Sequence, residues 1–148
     1  MPSVSTRILL GFIAAVISVL TFHQGVVELY HLAGTAGRPW SMAPVAPLSV
    51  PRIVDLCFWG GLYGAVFGAA LPWLKLPTWL AGIGLGILAA LVGWFVVAPI
   101  KGNPIAAGWN PVSMSRSLLI NGSFGLGVGL ILPLLMPRRL GRRALRTG

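Results

Sequence analysis

Long apolar runs alternate along this chain with short clusters of proline, glycine and charge. Residues 8–22 are almost wholly apolar, and the following TFHQGVVELYH continues the same helical segment to about residue 30. Three more apolar segments cover residues 53–74, 78–97 and 117–136. Uncharged runs of about 18 residues or more predict membrane-crossing helices. The breaks between them are specific. Residues 31–50 (HLAGTAGRPWSMAPVAPLSV) carry Gly34, Gly37, Pro39, Pro44 and Pro47, so they cannot form one continuous helix. Pro72 and Pro77 bracket a tight turn, and residues 101–115 (KGNPIAAGWNPVSMS) form a second linker. Irregular backbone enters a membrane only where protein or water satisfies it, so the first linker is expected on the membrane surface or dipping between helix ends. The short polar start at residues 1–7 suits a signal peptide, but no A-x-A-like site follows the apolar run, which predicts an uncleaved first span.

The second and fourth spans share a spacing. Gly61, Gly64, Gly68 and Pro72 align with Gly122, Gly125, Gly129 and Pro133, each partner 61 positions downstream. Both linkers begin Gly-x-Pro and continue with a Trp, a Pro and a Met. This predicts an all-α integral membrane four-helix bundle, a single transmembrane domain of two parallel two-helix repeats. Against it, the first and third spans align poorly. Small residues four apart let helix backbones approach where lipid gives little hydrophobic drive between helices. Gly61, Gly64, Gly68, Gly82, Gly86, Gly122, Gly125 and Gly129 are therefore expected at helix-packing faces.

Composition and charge sharpen the picture. Only 9% of the 148 residues are charged, against roughly 25% in a soluble domain. The net charge of +9 raises nucleic acid as a partner, but its distribution argues against that. Arg138, Arg139, Arg142, Arg143 and Arg146 crowd the end of the chain, in a basic tail covering residues 137–148. Basic residues beside an apolar span mark its cytoplasmic end. With Arg7 and Lys75 this set opposes Arg38, Arg52, Lys101 and Arg116, and it places both termini inside. The single cysteine, Cys57, cannot form an internal disulfide.

Candidate chemistry is sparse. His23, Gln24, Glu28 and His31 lie near the end of the first span. Glu28 and His31 share a helix face, whereas His23 is about 140° from Glu28, so the three meet only if the helix is distorted. Asp55 and Arg116 occupy corresponding repeat positions, either paired with each other or each facing interfacial water. These six residues form the candidate polar site, with His23 and Glu28 lining a cavity roofed by residues 40–47. Glu-x-x-His occurs in di-iron bundles, but those need more carboxylates than Asp55 supplies. No phosphate loop, H-E-x-x-H or paired cysteine motif is present, so no catalytic residue, metal or cofactor is expected.

The segments FHQGVVELYH, PWSMAPVAPLSVP and FWGGLYG together resemble a group of small bacterial inner-membrane proteins of unassigned activity. The resemblance covers residues 22–70. It implies a four-helix protein of the bacterial inner membrane and supplies no functional residue. The resulting expectation is a structural or accessory membrane protein that associates through its glycine-rich faces. A small oligomeric transporter or channel subunit and a cofactor-binding membrane subunit are the alternatives. The expected partners are the lipid bilayer and a homo-oligomer or larger membrane complex, with no nucleic acid.

Overall fold

The structure is a computed structural model that describes residues 1–137; residues 138–148, the bulk of the expected basic tail, lie outside the described residues. It contains four long helices: α1 (Val4–Leu32), α2 (Arg52–Trp73), α3 (Thr78–Ile100) and α4 (Pro111–Leu135). All four are long and apolar enough to cross a membrane. The shortest has 22 residues and so rises about 33 Å, against a hydrocarbon core of roughly 30 Å.

The helix ends follow local chemistry that the hydrophobic pattern does not carry. α1 starts at Val4, earlier than its apolar run, because the Ser3 hydroxyl accepts from the Thr6 N–H at 3.2 Å. α4 starts at Pro111, well before residue 117, so the end of the expected second linker is helical. Asn110 Oδ1 accepts from the Ser113 N–H at 3.0 Å, and Pro111 occupies the first turn, where a missing N–H costs nothing. The polar stretch SMSRS hides that turn from a hydropathy reading. α2 has no side-chain cap. Instead the first linker folds back over it: Arg52 N–H donates to Ala43 O at 2.9 Å and Ile53 N–H to Ser41 O at 3.0 Å. Two short strands, β1 (Pro44–Val45) and β2 (Val50–Pro51), pair antiparallel within the same linker.

Two helix pairs organise the molecule, and glycine sets both contacts. In α1 and α2, a Cβ added to Gly11 would lie 3.0 Å from the Gly64 carbonyl carbon and 3.1 Å from Gly68 Cα. In α3 and α4, a Cβ on Gly82 would meet the Gly125 carbonyl oxygen and lie 3.0 Å from Gly129 Cα. Gly11, Ala15, Gly64 and Gly68 thus hold the places in one pair that Gly82, Gly86, Gly125 and Gly129 hold in the other. Real side chains do not approach so closely, so backbone lies against backbone in both pairs. Gly61 is covered by the Phe12 ring. A Cβ on Gly122 would meet nothing within 4 Å, but its Cα lies in the α3–α4 contact, 2.9 Å from where a Cβ on Gly86 would sit. The pairs join chiefly through α1 and α4. Ser18 Oγ donates to Phe124 O at 2.6 Å, and Gly127 makes room for Ser18 and Phe22. Ala15, Val19, Phe67, Leu85, Phe124, Val128 and Leu132 form the core between them. α2 and α3, by contrast, touch little.

Candidate functional site

The site begins with a fault in α1. Residues Val19–His23 form one turn of π-helix, a widening that inserts an extra residue into the helical ladder. The Gln24 N–H bonds to the carbonyls of Val19 and Thr21, so it passes over Leu20, its usual partner four residues back. The first linker supplies the replacement: Trp40 Nε1 donates to Leu20 O at 3.0 Å. Trp40 is fastened a second time, its backbone N–H donating to Gln24 Oε1 at 2.9 Å. That contact fixes the Gln24 amide, whose Nε2 then lies 3.1 Å from His23 Nδ1. With the amide nitrogen donating, Nδ1 accepts and the imidazole carries its proton on Nε2. Gln24 is only 3% exposed, so this chain of bonds removes the cost of burying its amide. Trp40 adopts a left-handed backbone with φ 47°, uncommon for a bulky residue, and these two bonds hold it there.

Two cavities meet at this fault. One, of about 570 Å³, is lined by His23, Gln24 and Val27 of α1, Gly37, Arg38 and Ser41 of the linker, Arg52 and Leu56 of α2, and Ser113, Arg116, Ser117, Ile120 and Asn121 of α4. The other, of about 450 Å³, is mostly apolar, with Val19, Leu56, Trp59, Tyr63, Val97, Ile100 and Phe124 among its walls and Asp55 and Lys101 as its charges. His23, Leu56 and Asn121 line both. A second π-helical turn, Gly93–Val97 in α3, borders the apolar cavity. There Trp94 Nε1 donates to Ser117 Oγ at 3.1 Å, and Asn121 Nδ2 donates to Ser117 O at 2.9 Å.

The candidate residues divide between these places. His23, Gln24 and Arg116 line the polar cavity, and Asp55 lines the apolar one. Glu28 lines neither. His31 turns away, with Nδ1 3.1 Å from Ala36 O. The distortion that would let His23, Glu28 and His31 converge is present, yet the three do not meet around one cavity. Asp55 and Arg116 form no ion pair with each other among the described residues. The Arg116 guanidinium carbon instead sits 5.4 Å from the Tyr30 ring centroid, a cation–π contact. Of residues 40–47, Ser41 lines the polar cavity, while Trp40 bonds to Leu20 O and Gln24 Oε1 and lines neither cavity. Sequence reading passed over Arg38, Arg52, Ser117 and Asn121 as site residues. One signal was available: Arg38, Arg52, Lys101 and Arg116 are the basic residues assigned to the end disfavoured by the positive-inside bias, and all four line a cavity. Among the described residues, no group of three His, Cys, Asp or Glu side chains is placed to hold a metal ion. No family model, no curated relative and no solved structure matches the chain.

Proposed function

We propose that the chain is a multi-pass protein of the bacterial inner membrane that admits a small ligand into the paired cavities between its two helix pairs, as a binding or transport unit. Membrane insertion is supported by exposure: only 28–33% of the most apolar window of each helix is buried within the protein. Such a surface would be costly in water and suits lipid. A bundle of two parallel repeats is supported by the matching glycine contacts in the α1–α2 and α3–α4 pairs. Four crossings return both termini to one side. The arginine tail, Arg7 and Lys75 make that side the cytoplasm, and the resemblance of residues 22–70 supports a bacterial origin.

One observation carries the ligand reading. The polar cavity lies at the linker end and shares His23, Leu56 and Asn121 as wall residues with the apolar one. Association through glycine-rich faces loses its basis, because Gly64, Gly68, Gly82, Gly86, Gly125 and Gly129 are consumed by contacts inside the chain. An accessory role in a larger membrane complex keeps a different support. Leu62, Val66 and Trp73 stand exposed on α2. A protein partner or lipid would cover them.

The test is aqueous access. In a Cys57→Ser background, Ser117→Cys faces the polar cavity and Leu119→Cys, at a position 56% exposed, faces outward from α4. A membrane-impermeant thiol reagent applied to spheroplasts should modify the first and spare the second, since only a hydrated thiol ionises and reacts. Equal protection of both refutes an open cavity.

A further inference from the structure

The polar cavity is charged on one side only. Arg38, Arg52 and Arg116 line it, and no carboxylate does so among its described lining residues. The nearest acid in the cavity system, Asp55, lines the apolar chamber, where Lys101 also lies. Arg116 is not spent within the protein. Its Nε is buried without a hydrogen-bond partner, while Tyr30 lies 5.4 Å from the guanidinium carbon. A buried donor left unpaired is costly, and three like charges around one chamber repel. Both costs fall when an anion enters. Guanidinium forks match planar or tetrahedral oxyanions, and three of them suit a group with more than two acceptor oxygens. Ser41 and Ser113 line the same chamber.

The second chamber sets the rest of the ligand. Leu56, Trp59, Val97, Ile100 and Phe124 give it an apolar wall, and it adjoins the arginine chamber, sharing His23, Leu56 and Asn121 with it. A free inorganic anion would leave that chamber unused. We propose that the cavities together bind an amphiphile with a net-negative phosphate headgroup on an aliphatic chain, with the phosphate among Arg38, Arg52 and Arg116 and the chain in the apolar chamber. This rests on the ligand-cavity reading above. The linker end of four membrane-crossing helices lies level with lipid headgroups, so a bilayer phospholipid is one source and a soluble phosphate ester with an alkyl tail is the other. Placing the arginines there also explains why basic residues occur at the end where topology disfavours them.

Native mass spectrometry of the purified protein in a non-ionic detergent tests the proposal. The probes are dioctanoyl phosphatidylglycerol, dioctanoyl phosphatidylcholine, decyl phosphate and inorganic phosphate. One phosphatidylglycerol or one decyl phosphate should bind per chain, at least about tenfold more tightly than phosphatidylcholine or inorganic phosphate. The stronger of the two identifies the source. Arg52→Gln and Arg116→Gln should each weaken that binding about tenfold or more, while the exposed Lys75→Gln leaves it unchanged. Gly93 lines the apolar chamber, and a Cβ there meets nothing within 4 Å. Gly93→Leu should therefore fold, fill that chamber and weaken the tailed probes. Phosphatidylcholine binding as tightly as phosphatidylglycerol overturns the proposal, as does inorganic phosphate binding as tightly as either tailed anion, or indifference to all three cavity substitutions. If no probe binds while Ser117→Cys still reacts from water, the amphiphile is wrong and the open cavity stands. If Ser117→Cys is also protected, both fall.

Discussion

Gly125→Ala should loosen the protein far more than Gly84→Ala, although both add one methyl group to a helix. At Gly125 the new Cβ would meet the Gly82 carbonyl oxygen and would lie 2.9 Å from Gly86 Cα. Carbon atoms pack at about 3.5 Å or more, so α3 and α4 must separate by at least about 0.6 Å at that point. A gap of 0.5–1 Å forfeits roughly a quarter to a half of the attraction between facing atoms. The loss spreads along a contact that also includes Gly82, Gly86 and Gly129, where backbone lies on backbone. Overpacking of this kind costs about 1–3 kcal/mol. The upper half of that range is expected here, because the opposing atoms are backbone and cannot rotate away. Gly84 meets nothing within 4 Å, so Gly84→Ala should stay within about 0.5 kcal/mol of the parent. The assay is reversible SDS-induced unfolding of the detergent-solubilised protein, followed by far-UV circular dichroism. Equal stability of the two variants would refute the backbone contact between α3 and α4.

Other predictions follow from single contacts. Ser18→Ala removes the 2.6 Å bond to Phe124 O and should cost about 1 kcal/mol in the same unfolding assay. Trp40→Phe leaves Leu20 O without its donor and should cost about 1 kcal/mol, while Gln24→Leu, which strips the Trp40 N–H and the His23 ring of a partner, should cost about 2 kcal/mol. Asp55→Asn and Arg116→Gln should have effects that add within about 0.5 kcal/mol, since Arg116 sits on Tyr30; a larger coupling in the double-mutant cycle would restore the ion pair.

The four spans were legible because a membrane-length apolar run is a strong signal, and the structure has a helix at each. The glycine contacts were half legible. Gly64, Gly68, Gly125 and Gly129 stand out because both members of each aligned pair are glycine. Their partners do not: Gly11 and Ala15 correspond to Gly82 and Gly86, with an alanine in one place, and the two linkers differ in length, so no single offset aligns both helices of the pairs. The cavity was the least legible. Arg38, Arg52 and Arg116 come from a linker and two separate helices, and only the folded chain puts them around one space. Glu28 and His31 show the opposite case. Their spacing puts them on one face, but a shared face does not say what that face meets. The π-helical turns leave no clear mark in the sequence. VLTFH and GWFVV have nothing in common except apolar bulk, and the extra residue shows only when a neighbour such as Trp40 takes up the stranded carbonyl.

The two helix pairs share their contacts but not their chemistry, and the differences lie where a ligand site would need them. Each first helix widens by a π-helical turn on the linker side of its glycine contact, at Val19–His23 in α1 and at Gly93–Val97 in α3. In α3 that turn is apolar, and its Trp94 is satisfied by Ser117 of α4. In α1 it presents His23, leads into buried Gln24, and needs Trp40 from the first linker to complete its hydrogen bonding. The longer linker is therefore more than a spacer. It repairs α1, caps α2 through the carbonyls of Ser41 and Ala43, and contributes Arg38 and Ser41 to the cavity wall. The α3 turn is apolar and lines the apolar chamber, and the α1 turn presents the polar groups that the first linker completes. That division sets Arg38, Arg52 and Arg116 around one chamber and a mostly apolar wall, with Asp55 and Lys101, around the other.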